Sequence, residues 1–378
     1  MECDYHRRGE CASCTLIDVA YPDQIARKRR RVAAALGVDE ASVAVTTGPD
    51  ARFRNKAKMV AGGTMDSPTL GILDESWHGT DLTRCPLYPE AIHVALRTLS
   101  RFVSLARLAP YDVAERRGEL KHILVTVSPD DELMVRFVMR STEAHTRIVK
   151  HLPTLLTELP NVRVATLNVL PDHRAALEGE REVVLTSESK LPMRLRGATL
   201  YLQPRSFFQT NTGVCEDLYE RARGIVAEIA PRSVWDLYCG VGGFALHLAG
   251  EDRDVTGVEL SPEAIECARL SAAELGDVAG TGLTFLSGDA TAFAIENGGA
   301  GRWPDLAVVN PPRRGLGGDL SRTLEASSIP AVLYSSCNPT SLAHDLAAMP
   351  GFRVESAELF DMFPHTEHAE VLTLLRRR

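Results

Sequence analysis

No apolar run in this 378-residue chain approaches the length needed to span a bilayer, which excludes a transmembrane helix. The opening residues, Met1-Glu2-Cys3-Asp4-Tyr5-His6-Arg7-Arg8, lack the apolar stretch of a secretory signal, so a cytoplasmic location is the default expectation. Repeats and low-complexity tracts are absent. An overall positive charge is missing too: the formal net charge is -8, which argues against a uniformly basic nucleic-acid binder. What is present describes an ordinary soluble globular protein, 44% hydrophobic and 24% charged, long enough for two domains or three. Its eight cysteines, in a cytosolic chain, read as ligands, nucleophiles or core residues rather than disulfides. Charge is uneven along the chain. Between Arg27 and Lys58 nine basic residues stand against three acidic ones, consistent with either a solvated face or a phosphate contact.

From about residue 196 the chain repeats strand, loop, helix. Val234–Tyr238, Val255–Leu260, Leu283–Leu286, Leu306–Asn310 and Ala331–Ser335 read as strands. A short helix is expected over Phe244–Gly250, and another from Pro262 to about Leu275, capped by Ser261. This alternation predicts an α/β fold with a doubly wound, mostly parallel sheet. Phe352–Phe360 and Val371–Leu375 have no helix between them and predict an antiparallel pair at the sheet's end. The first half, with a helix over Gln24–Leu36 and strands such as Lys56–Ala61, Ile123–Val127 and Val162–Leu170, reads as a β-rich mixed domain.

The segment Tyr334-Ser335-Ser336-Cys337-Asn338-Pro339 carries a lone cysteine where a predicted strand ends. Phe363-Pro364-His365-Thr366-Glu367-His368-Ala369-Glu370 brings a carboxylate from a second strand end. A thiolate there is a soft nucleophile, and a nearby carboxylate can take a proton. Asp361 and Glu367 compete for the base role, but Glu370 immediately precedes the apolar run Val371-Leu372-Thr373-Leu374-Leu375, which can fix its position. Upstream, Asp236-Leu237-Tyr238-Cys239-Gly240-Val241-Gly242-Gly243 is a glycine loop that lets backbone approach a ligand. Glu259, ending the next strand, can accept from both hydroxyls of a ribose, and Asp289 can meet an adenine amino group. No phosphate-binding G-x-G-x-x-G is completed, which favours S-adenosyl-L-methionine over a dinucleotide. At the N-terminus Cys3, Cys11 and Cys14 form C-x7-C-x2-C, with Cys85-Pro86 downstream. Four thiolates can hold zinc or an iron–sulfur cluster, and on spacing alone zinc is the commoner outcome.

On these segments the chain resembles the bacterial RNA uracil-C5-methyltransferases, most nearly the branch that acts on 23S rRNA. The resemblance also rests on Phe53-Arg54-Asn55-Lys56-Ala57-Lys58-Met59, Arg117-Gly118-Glu119-Leu120-Lys121, Gln203–Asn211 and Asn310-Pro311-Pro312-Arg313-Arg314-Gly315, and it runs almost end to end. It implies a Rossmann-like class I methyltransferase domain over 196–378, an iron–sulfur-binding segment over 1–90 and a β-rich RNA-binding domain over 91–195. Cys3, Cys11, Cys14 and Cys85 would hold a [4Fe-4S] cluster. Gln209, Tyr238, Glu259 and Asn310 would contact S-adenosyl-L-methionine, beside the Gly240 turn. Cys337 would be the nucleophile and Glu370 the general base, with His365 and His368 orienting it. The wider family usually has Asp where this chain has Asn310, although the 23S rRNA branch carries Asn, and it often has Phe where this chain has Tyr238. The chain also begins directly at the cysteines, without the extra N-terminal β-barrel of some relatives.

The substrate implied is 23S rRNA, and a monomer is the default. The same chemistry on a second 23S uridine or on the tRNA T-loop is the nearest alternative. A non-catalytic iron–sulfur RNA-binding factor would have no use for both nucleophile and base. A DNA cytosine methyltransferase would want a Pro-Cys loop where Asn310-Pro311-Pro312 stands.

Overall fold

The structure is a computed structural model that describes residues 1–173, 176–276 and 282–378. The chain opens with α1 (Asp4–Arg7), α2 (Tyr21–Leu36) and β1 (Val43–Thr46). Its residues cluster into two compact units: Met1–Cys14 with Pro49–Met193, and Thr15–Gly48 with Arg194–Arg378. This differs from the three consecutive segments expected. No boundary falls near residue 90, and α2 and β1 join the C-terminal unit. The cause is apolar: Val32, Ala33 and Leu36 on one face of α2, with Val43 of β1, enter the same core as Leu320, Leu342 and Leu359.

The first unit holds β2 (Lys56–Gly63), β3 (Pro68–Leu73), β4 (Gly79–Asp81), α3 (Glu90–Leu105), β5 (Leu120–Val127), β6 (Leu133–Met139), α4 (His145–Glu158), β7 (Val162–Val169) and β8 (Arg181–Val184). Its seven-stranded sheet runs β4-β3-β2-β5-β6-β7-β8, antiparallel except for β6–β7, which α4 connects. Period-two alternation decides the faces. Ala57, Met59 and Ala61 of β2, Ile123 and Val125 of β5, and Val135 and Phe137 of β6 pack with Leu96, Leu99 and Phe102 of α3 and Ile148 of α4. The intervening positions, Lys56, Lys58, His122 and Arg136, therefore belong to the opposite face.

β9 (Leu191–Leu195) contains the boundary between the units, and β10 (Ala198–Leu202) follows. The second unit continues with α5 (Thr212–Ile229), β11 (Ser233–Leu237), α6 (Gly243–Leu248), β12 (Asp254–Glu259), α7 (Pro262–Leu275), β13 (Leu283–Ser287), α8 (Ala290–Gly299), β14 (Leu306–Val309), α9 (Gly318–Ala326), β15 (Ala331–Ser336), α10 (Pro339–Ala347), β16 (Phe352–Phe360) and β17 (Glu370–Arg377). The eight strands order as β1-β16-β17-β15-β14-β11-β12-β13. β11 pairs in parallel with both β12 and β14, so strand order reverses there and the crevice that accepts ligands opens at their carboxyl ends. β16 and β17 are antiparallel, as expected, but they do not end the sheet. β17 lies between β15 and β16, and the short β1 adds in parallel outside β16. Inserting β17 antiparallel to β15 has a consequence for chemistry: the end of one strand and the start of the other share an edge.

Candidate active site

Register fixes the pair first. Ser335 faces Leu372 and Ser336 faces Val371 across β15–β17, so Cys337, just after β15, and Glu370, opening β17, stand at one sheet edge. Glu370 is 1% exposed, and Ser335 Oγ donates to its Oε1 at 2.6 Å. Burial pushes the Glu370 carboxyl up to about 7, with the Ser335 bond pulling the other way. That places a base near neutrality, where it can both accept and release a proton.

The turn carrying Cys337 is built locally. Asn338 N–H donates to Ser336 Oγ at 3.2 Å, Asn338 Oδ1 caps α10 by accepting from Thr340 N–H at 3.1 Å, and Pro339 opens that helix. The Cys337 thiol is half-buried, and burial raises its pKa, with the Glu370 charge adding to the rise. Arg313 acts against both and hydrogen-bonds the cysteine. A backbone hydrogen bond at Cys337 also favours the thiolate, but the net shift is upward.

His368 meets the Arg313 guanidinium at 3.2 and 3.3 Å, and His365 pairs its Nδ1 with Gln24 at 3.2 Å. The hydrogen bond to Glu370 comes from Ser335. The hairpin loop before Glu370 is held by α2: Lys28 Nζ donates to Asp361 Oδ1 at 2.5 Å and to the Phe363 carbonyl at 2.9 Å, and Tyr21 donates to Asp361 Oδ2 at 2.7 Å. Lys28 and Asp361 are both fully buried, so Lys28 is no part of a surface basic patch and Asp361 is committed to the loop. Phe360, one residue before Asp361, is the register partner of Glu370. Asp345, also not singled out in the sequence, accepts from Leu316 N–H at 2.8 Å and Tyr334 O–H at 2.7 Å, tying the segment after Asn310 to β15.

Tyr238, Gly240, Glu259 and Asn310 stand at or just beyond the carboxyl ends of β11, β12 and β14, where the strand order reverses. Tyr238 follows β11 with φ 64, Gly240 has φ 55 and Gly242 φ 89. A tyrosine held in left-handed backbone is strained, and such strain concentrates at functional turns. Tyr238 hydrogen-bonds Thr291, and burial raises its pKa. The Glu259 carboxylate accepts from Gly240 N–H at 3.2 Å and Ser261 N–H at 3.0 Å. Asn310 N–H reaches the Leu237 carbonyl at 3.3 Å. Asp289 is exposed and caps α8 through Ala292 N–H at 2.8 Å. Gln209 is buried before α5. Phe208 is buried whereas Phe207 is 73% exposed. Among the described residues, Asp236 Oδ1, Thr210 Oγ1 and Asn211 Nδ2 are buried without a hydrogen-bond partner.

In the other unit Cys3, Cys11, Cys14 and Cys85 are half-buried thiols. Burial pushes Cys85 up to about 12 and Cys14 up to about 11, and in each case the other cysteines add to the rise, so the four converge. Among the described residues no group of three or more His, Cys, Asp or Glu is arranged to hold a metal ion.

A parallel sheet with a glycine turn and an acidic residue at successive strand ends defines the class I methyltransferase fold, here with a cysteine and a carboxylic acid at the adjoining edge. A model of the family described as tRNA (Uracil-5-)-methyltransferase matches residues 179–299 and 303–378, and the chain belongs to that family. It is 48% identical over 380 residues to the 23S rRNA (uracil(747)-C(5))-methyltransferase RlmC of Halothiobacillus neapolitanus, covering all of both chains. Identity to the protein of the same description from Escherichia coli O1:K1 is 44%, covering 99% of each. The crystal structure of Pyrococcus abyssi tRNA (uracil-54, C5)-methyltransferase in complex with S-adenosyl-L-homocysteine superposes with a TM-score of 0.80 at 25% identity, covering 97% of this chain and 84% of that one.

Proposed function

We propose that this protein methylates C5 of a uridine in 23S rRNA, with Cys337 as nucleophile, Glu370 as base and S-adenosyl-L-methionine as methyl donor. The observation that carries the reading is the sheet edge shared by Cys337 and a buried Glu370 held by Ser335. The target is favoured by relatives at 44–48% identity named for uracil 747 of 23S rRNA, against 25% for the tRNA enzyme.

Uracil C5 is too weak a nucleophile to take a methyl group unaided. The Cys337 thiolate adds to C6, and the electron pair of the C5=C6 bond moves into an enolate with charge on O4. S-adenosyl-L-methionine supplies an electrophilic methyl group, which C5 accepts. Glu370 then removes the C5 proton, the C5=C6 bond re-forms, and the thiolate leaves. Arg313, already on Cys337, favours the thiolate at the start and again at expulsion. Donor contacts are assigned to Gln209, Tyr238, Gly240, Glu259, Asp289 and Asn310, of which Glu259 would accept from the ribose hydroxyls. The glycine turn admits the donor's backbone contacts, and the orphaned polar atoms of Asp236, Thr210 and Asn211 fit a polar ligand.

Cys3, Cys11, Cys14 and Cys85 are assigned to a [4Fe-4S] cluster. What supports the assignment is that Cys3, Cys11 and Cys14 all act on the buried Cys85 thiol, so four thiolate donors belong to one neighbourhood. The cluster's role is structural, since the methylation moves no electrons between redox centres. The enzyme works as a soluble cytoplasmic monomer; no helix among the described residues is long and apolar enough to cross a membrane.

The test incubates purified protein with 23S rRNA lacking the modification and labelled S-adenosyl-L-methionine, then maps the label. One 5-methyluridine at the position corresponding to uracil 747 is expected. Label confined to tRNA would contradict the 23S assignment, and no label in either RNA would contradict methyl transfer.

A further inference from the structure

The first unit contains a cavity of about 450 Å³ that the reaction does not use, within the range of small-ligand sites. Its walls include Trp77, Tyr111, Lys121, His122, His173 and Leu177. Trp77 sits on the β3–β4 hairpin with φ 65, where Asp74 Oδ1 accepts from Ser76 and His78 N–H groups at 2.8 and 2.9 Å. It is 59% exposed and Leu177 is 42% exposed, so the rim presents an uncovered aromatic and apolar edge. On its walls, Tyr111 hydrogen-bonds the exposed His173 at 3.0 Å, and Lys121 Nζ lies 4.7 Å from the Tyr111 ring centroid while donating to the Asp172 carbonyl at 2.7 Å.

The motif Arg117-Gly118-Glu119-Leu120-Lys121, which the catalytic edge does not explain, builds this wall. Gly118 has φ 96, and any Cβ there would strike the Pro110 carbonyl. Tyr111 N–H donates to Leu120 at 2.8 Å and Asp112 N–H to Arg117 at 2.7 Å, which seats Tyr111 beside Lys121. Glu119 is anchored by Arg140 at 2.8 Å and by the Ser141 hydroxyl at 2.6 Å. His122 pairs one ring nitrogen with the Ala176 carbonyl at 3.2 Å, so Nε2 donates. Its Nδ1 is then an acceptor, buried and without a partner among the described residues.

A basic row leads to the cavity. Lys56 and Lys58 share the face of Val60, which lines the cavity and pairs in register with His122. Burial and the neighbouring cations hold the Lys56 amine down to about 8 and lower Lys58 as well. Glu178 acts against both shifts and, with Glu182, is paired to Arg136, while Lys58 stays exposed on this face where a phosphate can reach it.

We infer that this cavity is a second nucleotide site, in which an unstacked base of the RNA substrate stacks on Trp77 and Tyr111 while its flanking phosphates run along Lys58 and Lys56. The inference rests on the proposed RNA substrate. Extruding the target uridine leaves neighbouring bases unstacked, and aromatic faces beside cations are how proteins hold such bases. The His122 Nδ1 acceptor suits a ring or exocyclic N–H of that base.

The test uses the full chain and a 23S rRNA stem-loop transcript carrying 5-iodouridine or 5-iodocytidine at single loop positions other than the target. Irradiation is expected to cross-link one position to Trp77 or Tyr111. Trp77→Ala and Tyr111→Ala are expected to raise KM about tenfold with kcat within about twofold, and Trp77→Phe to restore most of the loss. Cross-links only elsewhere, together with unchanged KM in both alanine variants, would overturn the second site. Methyl transfer by the unmodified protein is read separately. If it is absent, the proposed reaction fails and the cross-link alone decides the cavity.

Discussion

Ser335 and Glu370 are joined by a 2.6 Å hydrogen bond between strands that run in opposite directions, inside a region where Glu370 is 1% exposed. The hydroxyl favours the ionised carboxylate; burial favours the protonated one, and burial prevails. The active base is therefore set by two opposed effects that can be separated by mutation.

Removing the hydroxyl should shift the balance further toward the acid. Ser335→Ala is expected to move the acidic limb of the kcat–pH profile above its wild-type position near 7, and to lower turnover at pH 7 by about three- to tenfold. Activity at pH 9 should recover most of the difference. A profile that superposes on wild type would show that Glu370 does not limit the rate.

Glu370 also links stability to pH. Its ordinary value is 4.5 and its folded value about 7, so between them the folded chain keeps a proton that the unfolded chain has lost. Stability contributed by this group is complete below pH 4.5 and declines as pH rises through 7. Glu370→Gln cannot ionise, so it should be more stable than wild type at pH 8 by on the order of 1–3 kcal/mol, with the gap closing near pH 5. Urea unfolding at the two pH values checks this. An equal difference at both would contradict a buried, proton-holding carboxyl.

The four-thiol site gives an optical prediction. Protein purified without oxygen should be brown and carry about four iron atoms, and oxidation or chelation should bleach it and lower its Tm. Colourless protein with one bound zinc would replace the cluster by the alternative metal.

Much of the second unit was readable because each strand–loop–helix step declares itself: Ser261 does cap α7 through Ala264 N–H, and the helix after the glycine turn is short. Hidden were relationships between distant segments. β1 is four residues long and becomes a strand only by pairing with β16. Lys28 reads as one cation in a basic run, yet its partner Asp361 lies 333 residues away and both are fully buried. Ser335 looks like an ordinary strand residue until β17 sets Glu370 against it. His365 and His368 stand near Glu370 in sequence, but their contacts with Gln24 and Arg313 become visible only in the fold. The glycine loop and the Cys337 turn were legible because their chemistry is local.

Covalent attachment of Cys337 to the pyrimidine is the claim on which the rest depends, and a stem-loop transcript with 5-fluorouridine at the target tests it most directly. Fluorine cannot be removed as a proton, so the methylated adduct should persist, run as a shifted band in denaturing gels, and map by mass spectrometry to the Cys337 peptide. Cys337→Ala should give no band. Methyl transfer to the unmodified transcript by Cys337→Ala, or an adduct on any other residue of the wild-type chain, would contradict it.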